Sequence, residues 1–528
     1  MRDFFRPGRD PAIAGEAMIA TSHPLSTAAG LEILAEGGNA VDAVIAAVAV
    51  QCVVDPLMTG IGGDCFALYA PAGGDIVALN GSGRAPAAAT VARLKAEGLT
   101  EISRFSAHAV TVPGAVAAWE KLHREYGRTP FERLLRRAVA YAGDGYPVTG
   151  RVAWDWAKEA ASVAGDPGAR AVFLPRGVAP AMGERHAQPA LARTLKLIAR
   201  HGAKAFYTGE VAASSVAYLK GIGGLHEMED FESAVDGADW VTPISTRYRD
   251  VDVYECPPNG QGLAALMMMN ILKGFDLSEG APLAQRIHLH AEAAKLAYYH
   301  RDALVSDPAT MPCPPQTLLG EDVAAALRGR IRMDGVLAPA LWDEPEHKDT
   351  VYLCCVDRDG NALSFINSIF HGFGSTRLDP ATGILFHSRG SSFRLIEGHP
   401  NAIGPRKRPM HTIIPGMARR NGRVIMPFGV MGGQYQAAGH AAFISGVFDR
   451  GLNVQEAIDA PRSFSFGGVL ELEPTIGADV AAELARIGHR VQPAQAPLGG
   501  AQAIYIDHAR GLLLGGSDQR KDGSALGF

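Results

Sequence analysis

The chain has 528 residues, 47% of them hydrophobic and 20% charged. That is enough apolar material to bury a large core, and it excludes an intrinsically disordered polymer. Lys and Arg number 50 against 55 Asp and Glu, a net charge of −5, which excludes the strongly basic surface of a general nucleic-acid binder. Residues 1–10 are charged and lack the apolar run of a secretory signal, and the most apolar early stretch, 40–54, is too short to span a membrane and is interrupted by Asp42 and Gln51. The expectation is a cytoplasmic protein with no membrane partner.

Apolar residues at helical spacing predict helices over 26–34 and 39–53, separated by Glu36-Gly37-Gly38, whose glycines suit a helix C-terminus. Gly60-Ile61-Gly62-Gly63-Asp64 resembles a dinucleotide loop only loosely, because Cys65 stands where the last glycine belongs; it reads as a tight helix-to-strand turn. Short strands follow over 65–69 and 76–79, and then helices over 115–126 and 131–142. A strand over 252–255 leads to helices over 261–272 and 285–299, and Met267-Met268-Met269 in the first of these reads as adaptable core packing. Residues 306–349 are rich in proline, weakly patterned, and end in a polar run that reads as an exposed loop.

The texture changes at Thr350. Residues 351–356 are strand formers, Asp357-Arg358-Asp359-Gly360-Asn361 is a hairpin turn, and 362–366 form the return strand. Further strands are expected over 384–386, 503–507 and 512–515. Strands and helices are interspersed, which predicts an α+β fold built in layers.

The six cysteines, Cys52, Cys65, Cys256, Cys313, Cys354 and Cys355, have neither zinc-site nor disulfide-framework spacing and read as buried, inert thiols. His288 and Glu292 are four apart and share a helix face from which His290 turns away; two ligands do not make a metal site, and none is expected. The basic run Arg406-Lys407-Arg408 reads as a solvated loop, or as part of a positive field if it lies near a site.

A threonine at a strand start is ordinarily just a β-branched residue. It becomes chemically distinctive if the Asp349–Thr350 bond is cut, because Thr350 then carries both a hydroxyl and a free α-amine. With a pKa of about 7.7–8.0, that amine is partly neutral near pH 7 and can take the hydroxyl proton without a histidine.

Around this position the sequence resembles the γ-glutamyltransferase family of N-terminal-nucleophile hydrolases. The matching segments run in order along nearly the whole chain: Gly37 to Ala43, Thr59 to Asp64, Val112-Pro113-Gly114, Ala291 to Lys295, Asp357 to Asn361, Gly404 to Met410, and Gly429-Val430-Met431-Gly432-Gly433. The resemblance implies a four-layer αββα fold and autocatalytic cleavage between Asp349 and Thr350. The products would be a large chain, 1–349, and a small chain, 350–528, held as a heterodimer or as a dimer of these. It implies Thr350 as nucleophile, Ser368 as a second hydroxyl beside it, Gly432 and Gly433 as oxyanion-hole amides, and Arg84 as a carboxylate clamp. No metal or organic cofactor is implied.

The departures narrow the substrate. Where the family's transpeptidases hold the glutamyl ammonium with Asn, Gln and Asp, this chain has Phe370, Arg389 and Ser392; where they have a serine pair, it has His411-Thr412. Together with Ser388 to Phe393, including Ser391, and with His399 to Ala402, these residues resemble a branch of the family like oxamate amidohydrolase. The implied substrate is a small anionic amide without an α-ammonium, bound by Arg84, Arg389, Ser391, Ser392, His411 and Thr412. The alternatives are a γ-glutamyltransferase or glutathione hydrolase, a glutaryl-type side-chain acylase, and an unprocessed, non-catalytic binding protein.

Overall fold

The computed structural model describes residues 8–338 and 350–528. Asp349, with the polar run before Thr350, lies outside the described residues. Two antiparallel sheets form the centre. The first runs, edge to edge, Ser524–Gly527, Met18–Thr21, Val351–Val356, Ala362–Ser368, Asp64–Ala70, Val77–Gly81 and Asp239–Val241. The second runs Ala12–Ala14, Leu512–Ser517, Gly500–Asp507, Arg423–Met431, Gly416–Arg420, Val251–Glu255 and Ile244–Tyr248.

Alternation along the strands builds the layers. Cys354 faces the second sheet with Phe66, Leu68, Tyr352 and Ile366, meeting Ile413, Met417, Met431 and Ile504. Cys355, one residue on, turns to the opposite face and packs among the helices covering the first sheet, as period-two geometry requires. Those helices include Pro24–Ala35, Ala40–Val54, Ala115–Tyr126 and Phe131–Asp144. Gly262–Leu272, Leu283–Leu304 and Tyr435–Phe448 cover the second sheet. The result is the expected four-layer αββα sandwich.

Ala40–Val54 is buried at every position, which explains why it is apolar all round rather than amphipathic. Asn39 and Asp42 close its N-terminus with a capping box, and Gly37 takes φ +95° between it and the preceding helix. No described helix is long and apolar enough to cross a membrane. All six cysteines are free, and five are buried; Cys313 is partly exposed.

Several local readings change. The strand expected over 384–386 is only Ile384–Leu385, while the return strand of the hairpin runs on to Ser368. The weakly patterned region contains two short helices, Pro315–Leu318 and Glu321–Arg328. The basic run is not a solvated loop throughout. Arg408 is buried, donates to the carbonyls of Ser82 and Gly237, and pairs with Asp239 at 2.7 Å.

Candidate active site

The hairpin places the first two functional side chains. Its register pairs Val351 with Asn367, so Thr350 stands opposite Ser368, the last residue of the return strand. Their hydroxyl oxygens are 3.3 Å apart, with Thr350 donating to Ser368, and both residues are about 1% exposed. Ser368 Oγ also accepts the Phe370 backbone N–H at 3.0 Å. On the far side of this strand Ser368 pairs with Asp64, and a Cβ on Gly63 would lie 2.3 Å from the Ser368 carbonyl oxygen. The turn before Asp64 therefore needs glycine for close approach.

The loop Met431-Gly432-Gly433-Gln434 joins a central strand of the second sheet to the helix Tyr435–Phe448. Gly432 and Gly433 adopt φ +119° and +56°, conformations that suit glycine. Gln261 Nε2 donates to the carbonyls of Gly433 (3.0 Å) and Thr412 (2.7 Å), and Arg301 in turn donates to the Oε1 atoms of Gln261 and Gln434. A buried amide and a buried guanidinium thus fix the glycine turn. Gln436, in the first turn of the helix, donates from Nε2 to Thr350 Oγ1 at 3.3 Å and accepts the Ile414 N–H at 3.1 Å.

Arg389 is buried. Its guanidinium lies 3.8 Å over the Phe370 ring and donates to Thr412 Oγ1 at 3.1 Å, a cation–π stack beside a hydroxyl. Phe370 holds φ +82°, an unusual backbone for an aromatic residue. The hydroxyls of Ser391 and Ser392 turn to backbone carbonyls: Ser391 donates to Ser388, and Ser392 to Arg389 and Met410. These bonds pin the turn carrying Arg389 to the segment carrying His411 and Thr412. Arg84 has a different setting. Its side chain is 42% exposed, 3.4 Å from Asp239 and 3.8 Å from Asp307, and it donates to the Arg406 carbonyl. None of these contacts is to a member of the Thr350 group.

Beneath this surface lies a buried carboxylate–histidine cluster. Asp64 Oδ1 accepts the N–H groups of Gly83 and Gly114; Oδ2 lies 2.9 Å from His411 Nε2 and 3.3 Å from His387 Nδ1. Burial alone would raise the Asp64 pKa, but His387 and His411 hold it well below the usual carboxylate range. Burial, with Arg389 nearby, pushes His411 down to about 3 against its bond to Asp64. His411 is thus a neutral ring that donates from Nε2, and its buried Nδ1 has no hydrogen-bond partner among the described residues. His387 Nε2 faces the Thr111 carbonyl at 2.8 Å.

The structure thus gathers Thr350, Ser368, the Gly432-Gly433 turn, Arg389, Ser392, His411 and Thr412. Sequence reasoning missed Gln261, Arg301, His387 and Gln436. Gln436 follows the glycine pair by three residues and lies four before His440, and that spacing is the only sequence signal it offers. His288 and Glu292 share a face as expected, but the segment after Thr350 adds His489, whose Nε2 lies 2.8 Å from His288 Nδ1. His288 Nε2 meets the Arg332 carbonyl, and Glu292 is bonded to Lys295 and to the Leu337 N–H. These bonds fasten residues 332–337, just ahead of Thr350 in sequence.

Comparison with known proteins shows the family. A family profile described as gamma-glutamyltranspeptidase matches residues 26–528. The chain is 36% identical to the glutathione hydrolase-like YwrD proenzyme of Bacillus subtilis, over 98% of this chain and 99% of that one. It is 34% identical to the oxamate amidohydrolase proenzyme of Klebsiella pneumoniae, again over 98% and 99%. The crystal structure of cephalosporin acylase from Bacillus halodurans superposes with a TM-score of 0.94 at 40% identity, covering 100% of this chain and 98% of that one. The chain belongs to the gamma-glutamyltranspeptidase family of N-terminal-nucleophile amidohydrolases.

Proposed function

We propose that the chain is cut between Asp349 and Thr350 and then hydrolyses small carboxylate-bearing amides of the oxamate type. The observation that carries the reading is the Thr350 hydroxyl, buried at the start of a central strand between the Ser368 hydroxyl and the Gln436 amide. Cutting would leave a 1–349 chain and a 350–528 chain whose first residue is the nucleophile. Thr350 Oγ then attacks the amide carbonyl and its proton passes to the α-amine. The Gly432 and Gly433 N–H groups receive the oxyanion, and the departing amine takes the proton. Water adds to the acyl-threonine ester and gives a proton to the α-amine, the C–Oγ bond breaks, Oγ takes that proton back, and the acid is released.

The buried cation Arg389 supports an anionic acyl group. A glutamyl α-ammonium beside it would be repelled, which disfavours a γ-glutamyl substrate. The likeness to the 40% identical cephalosporin acylase of Bacillus halodurans supports a second reading, a side-chain acylase acting on longer glutaryl-type amides. Arg84 would serve either substrate by turning from Asp239 and Asp307 toward the substrate carboxylate.

Thr350→Ala is expected to leave one uncut band on a denaturing gel and to abolish turnover; a cleaved, active variant would overturn the nucleophile assignment. A panel of oxamate, glutaryl and γ-glutamyl amides then identifies the acyl group. Arg389→Gln is expected to lower kcat/KM for the preferred carboxylate amide by at least about 10-fold, the order expected for one charged hydrogen bond. An unchanged value would remove Arg389 from substrate recognition.

A further inference from the structure

We infer that Gln436 is a catalytic residue: its side-chain N–H holds the nucleophilic oxygen of Thr350 and stabilises that oxygen whenever it carries negative charge. The inference rests on Thr350 being the nucleophile and adds a donor that the oxyanion turn does not provide.

Which end of the Gln436 amide faces Thr350 follows from its other bond. Ile414 N–H can only donate, so the group 3.1 Å from it must be Oε1. The NH2 group therefore faces Thr350 Oγ1 at 3.3 Å. An amide NH2 can only donate, so the threonine oxygen accepts, and its own proton is directed to Ser368 Oγ at 3.3 Å. The hydroxyl is thus oriented from both sides before any substrate arrives. Gln436 is fully buried, so water does not compete for the donor, and its backbone N–H bonds the Gly433 carbonyl at 3.2 Å. One residue ties the nucleophile to the oxyanion turn.

This donor acts at two points. In acylation it stabilises Oγ as its proton leaves for the α-amine and the new C–Oγ bond forms. In deacylation water adds to the ester carbonyl and gives a proton to the α-amine, the C–Oγ bond breaks, and its electron pair returns to Oγ. The N–H supports the developing alkoxide until the α-ammonium returns its proton. A donor aimed at developing charge in a water-free site changes kcat far more than KM.

Gln436→Glu keeps the acceptor for Ile414 N–H and replaces the donor with a carboxylate oxygen. Its processed enzyme is expected to lose about 10²-fold or more in kcat with KM within about three-fold, the scale of one lost oxyanion donor. Gln436→Met removes the donor without adding charge and is expected to lose at least about 10-fold in kcat on the same reasoning. Intact-mass spectrometry during turnover should then show acyl-enzyme at least at the wild-type level. A folded Gln436 variant that stays uncut also supports the role, because self-cleavage needs the same oxygen. If the Glu variant is insoluble, the Met variant decides. Both variants cutting and turning over within two-fold of wild type, while Thr350→Ala is dead, would remove Gln436 from catalysis and leave the nucleophile standing. An active Thr350→Ala would instead remove the nucleophile itself.

Discussion

Two buried carboxylate–histidine pairs flank the candidate site, and they are built differently. Asp64 meets four nitrogens, two from backbone N–H groups and two from histidine rings. Glu255, equally buried, accepts His440 Nδ1 at 2.6 Å through Oε1, while Oε2 has no partner among the described residues. His440 Nε2 accepts the Val430 N–H at 3.1 Å, so its proton sits on Nδ1 and the ring bridges the carboxylate to the strand that ends at the glycine turn. Burial raises the Glu255 pKa and the single histidine does not overcome it; Asp64 moves the other way. Burial does not decide the charge of an interior acid. The charge and hydrogen bonds of the groups packed against it do.

Substitution separates the two pairs. Asp64→Asn removes the charge that two backbone N–H groups and two histidine rings surround. It is expected to cost about 3–5 kcal/mol, the range for breaking a buried ionic network, read as a lowered urea midpoint. A loss below about 1 kcal/mol would show that these four nitrogens do not need the charge.

Acid separates the pairs less sharply. Burial pushes His411 and His371 down to about 3, and His23, His186, His226, His290 and His489 to about 4. These rings stay neutral in the folded chain, whereas the unfolded chain protonates them near pH 6.5. Their stabilisation is present above pH 6.5 and is lost as the pH falls toward 4. Each contributes a slope of up to about 1.4 kcal/mol per pH unit across that window. Glu255 has the opposite sign: its raised pKa favours the fold below the ordinary glutamate value, and that contribution fades as the pH rises. Asp55, raised to about 7, and Asp459 share that sign, and the seven histidines outnumber all three acids, so urea midpoints should fall from pH 7 to pH 4.5. A flat profile would mean that the rings charge inside the fold.

The smallest expected effect is Glu255→Gln. It keeps an acceptor for His440, and the group it alters was already half unsatisfied, so the cost should be about 1 kcal/mol or less. A loss matching that of Asp64→Asn would erase the contrast. Turnover should change little provided the Val430 strand keeps its place.

Much of the local structure was legible in the sequence. The helix over 115–126 and the strand over 351–356 match the observed elements end to end, because the helix has a single apolar face and the strand is an unbroken run of strand formers. The strand Arg423–Met431 escaped notice, since Pro427 and Gly429 interrupt its pattern. Gly429 is there for a tertiary reason: a Cβ would lie 2.3 Å from the Tyr352 ring on the neighbouring sheet.

The sequence alone set the hairpin, because turn chemistry and a period of two act over a few residues, and the family resemblance named Ser368; the structure ran the return strand on to Ser368 and so placed it opposite Thr350. It also named the glycine pair and marked Arg389 as a departure from the family pattern. Only the tertiary structure joined Asp64 to His411 across 347 positions, brought Gln436 to the threonine hydroxyl across 86, and gave Arg84 and Arg389 opposite surroundings. A buried polar group is defined by the donors and acceptors that close around it, and these come from segments that packing, not local pattern, brings together.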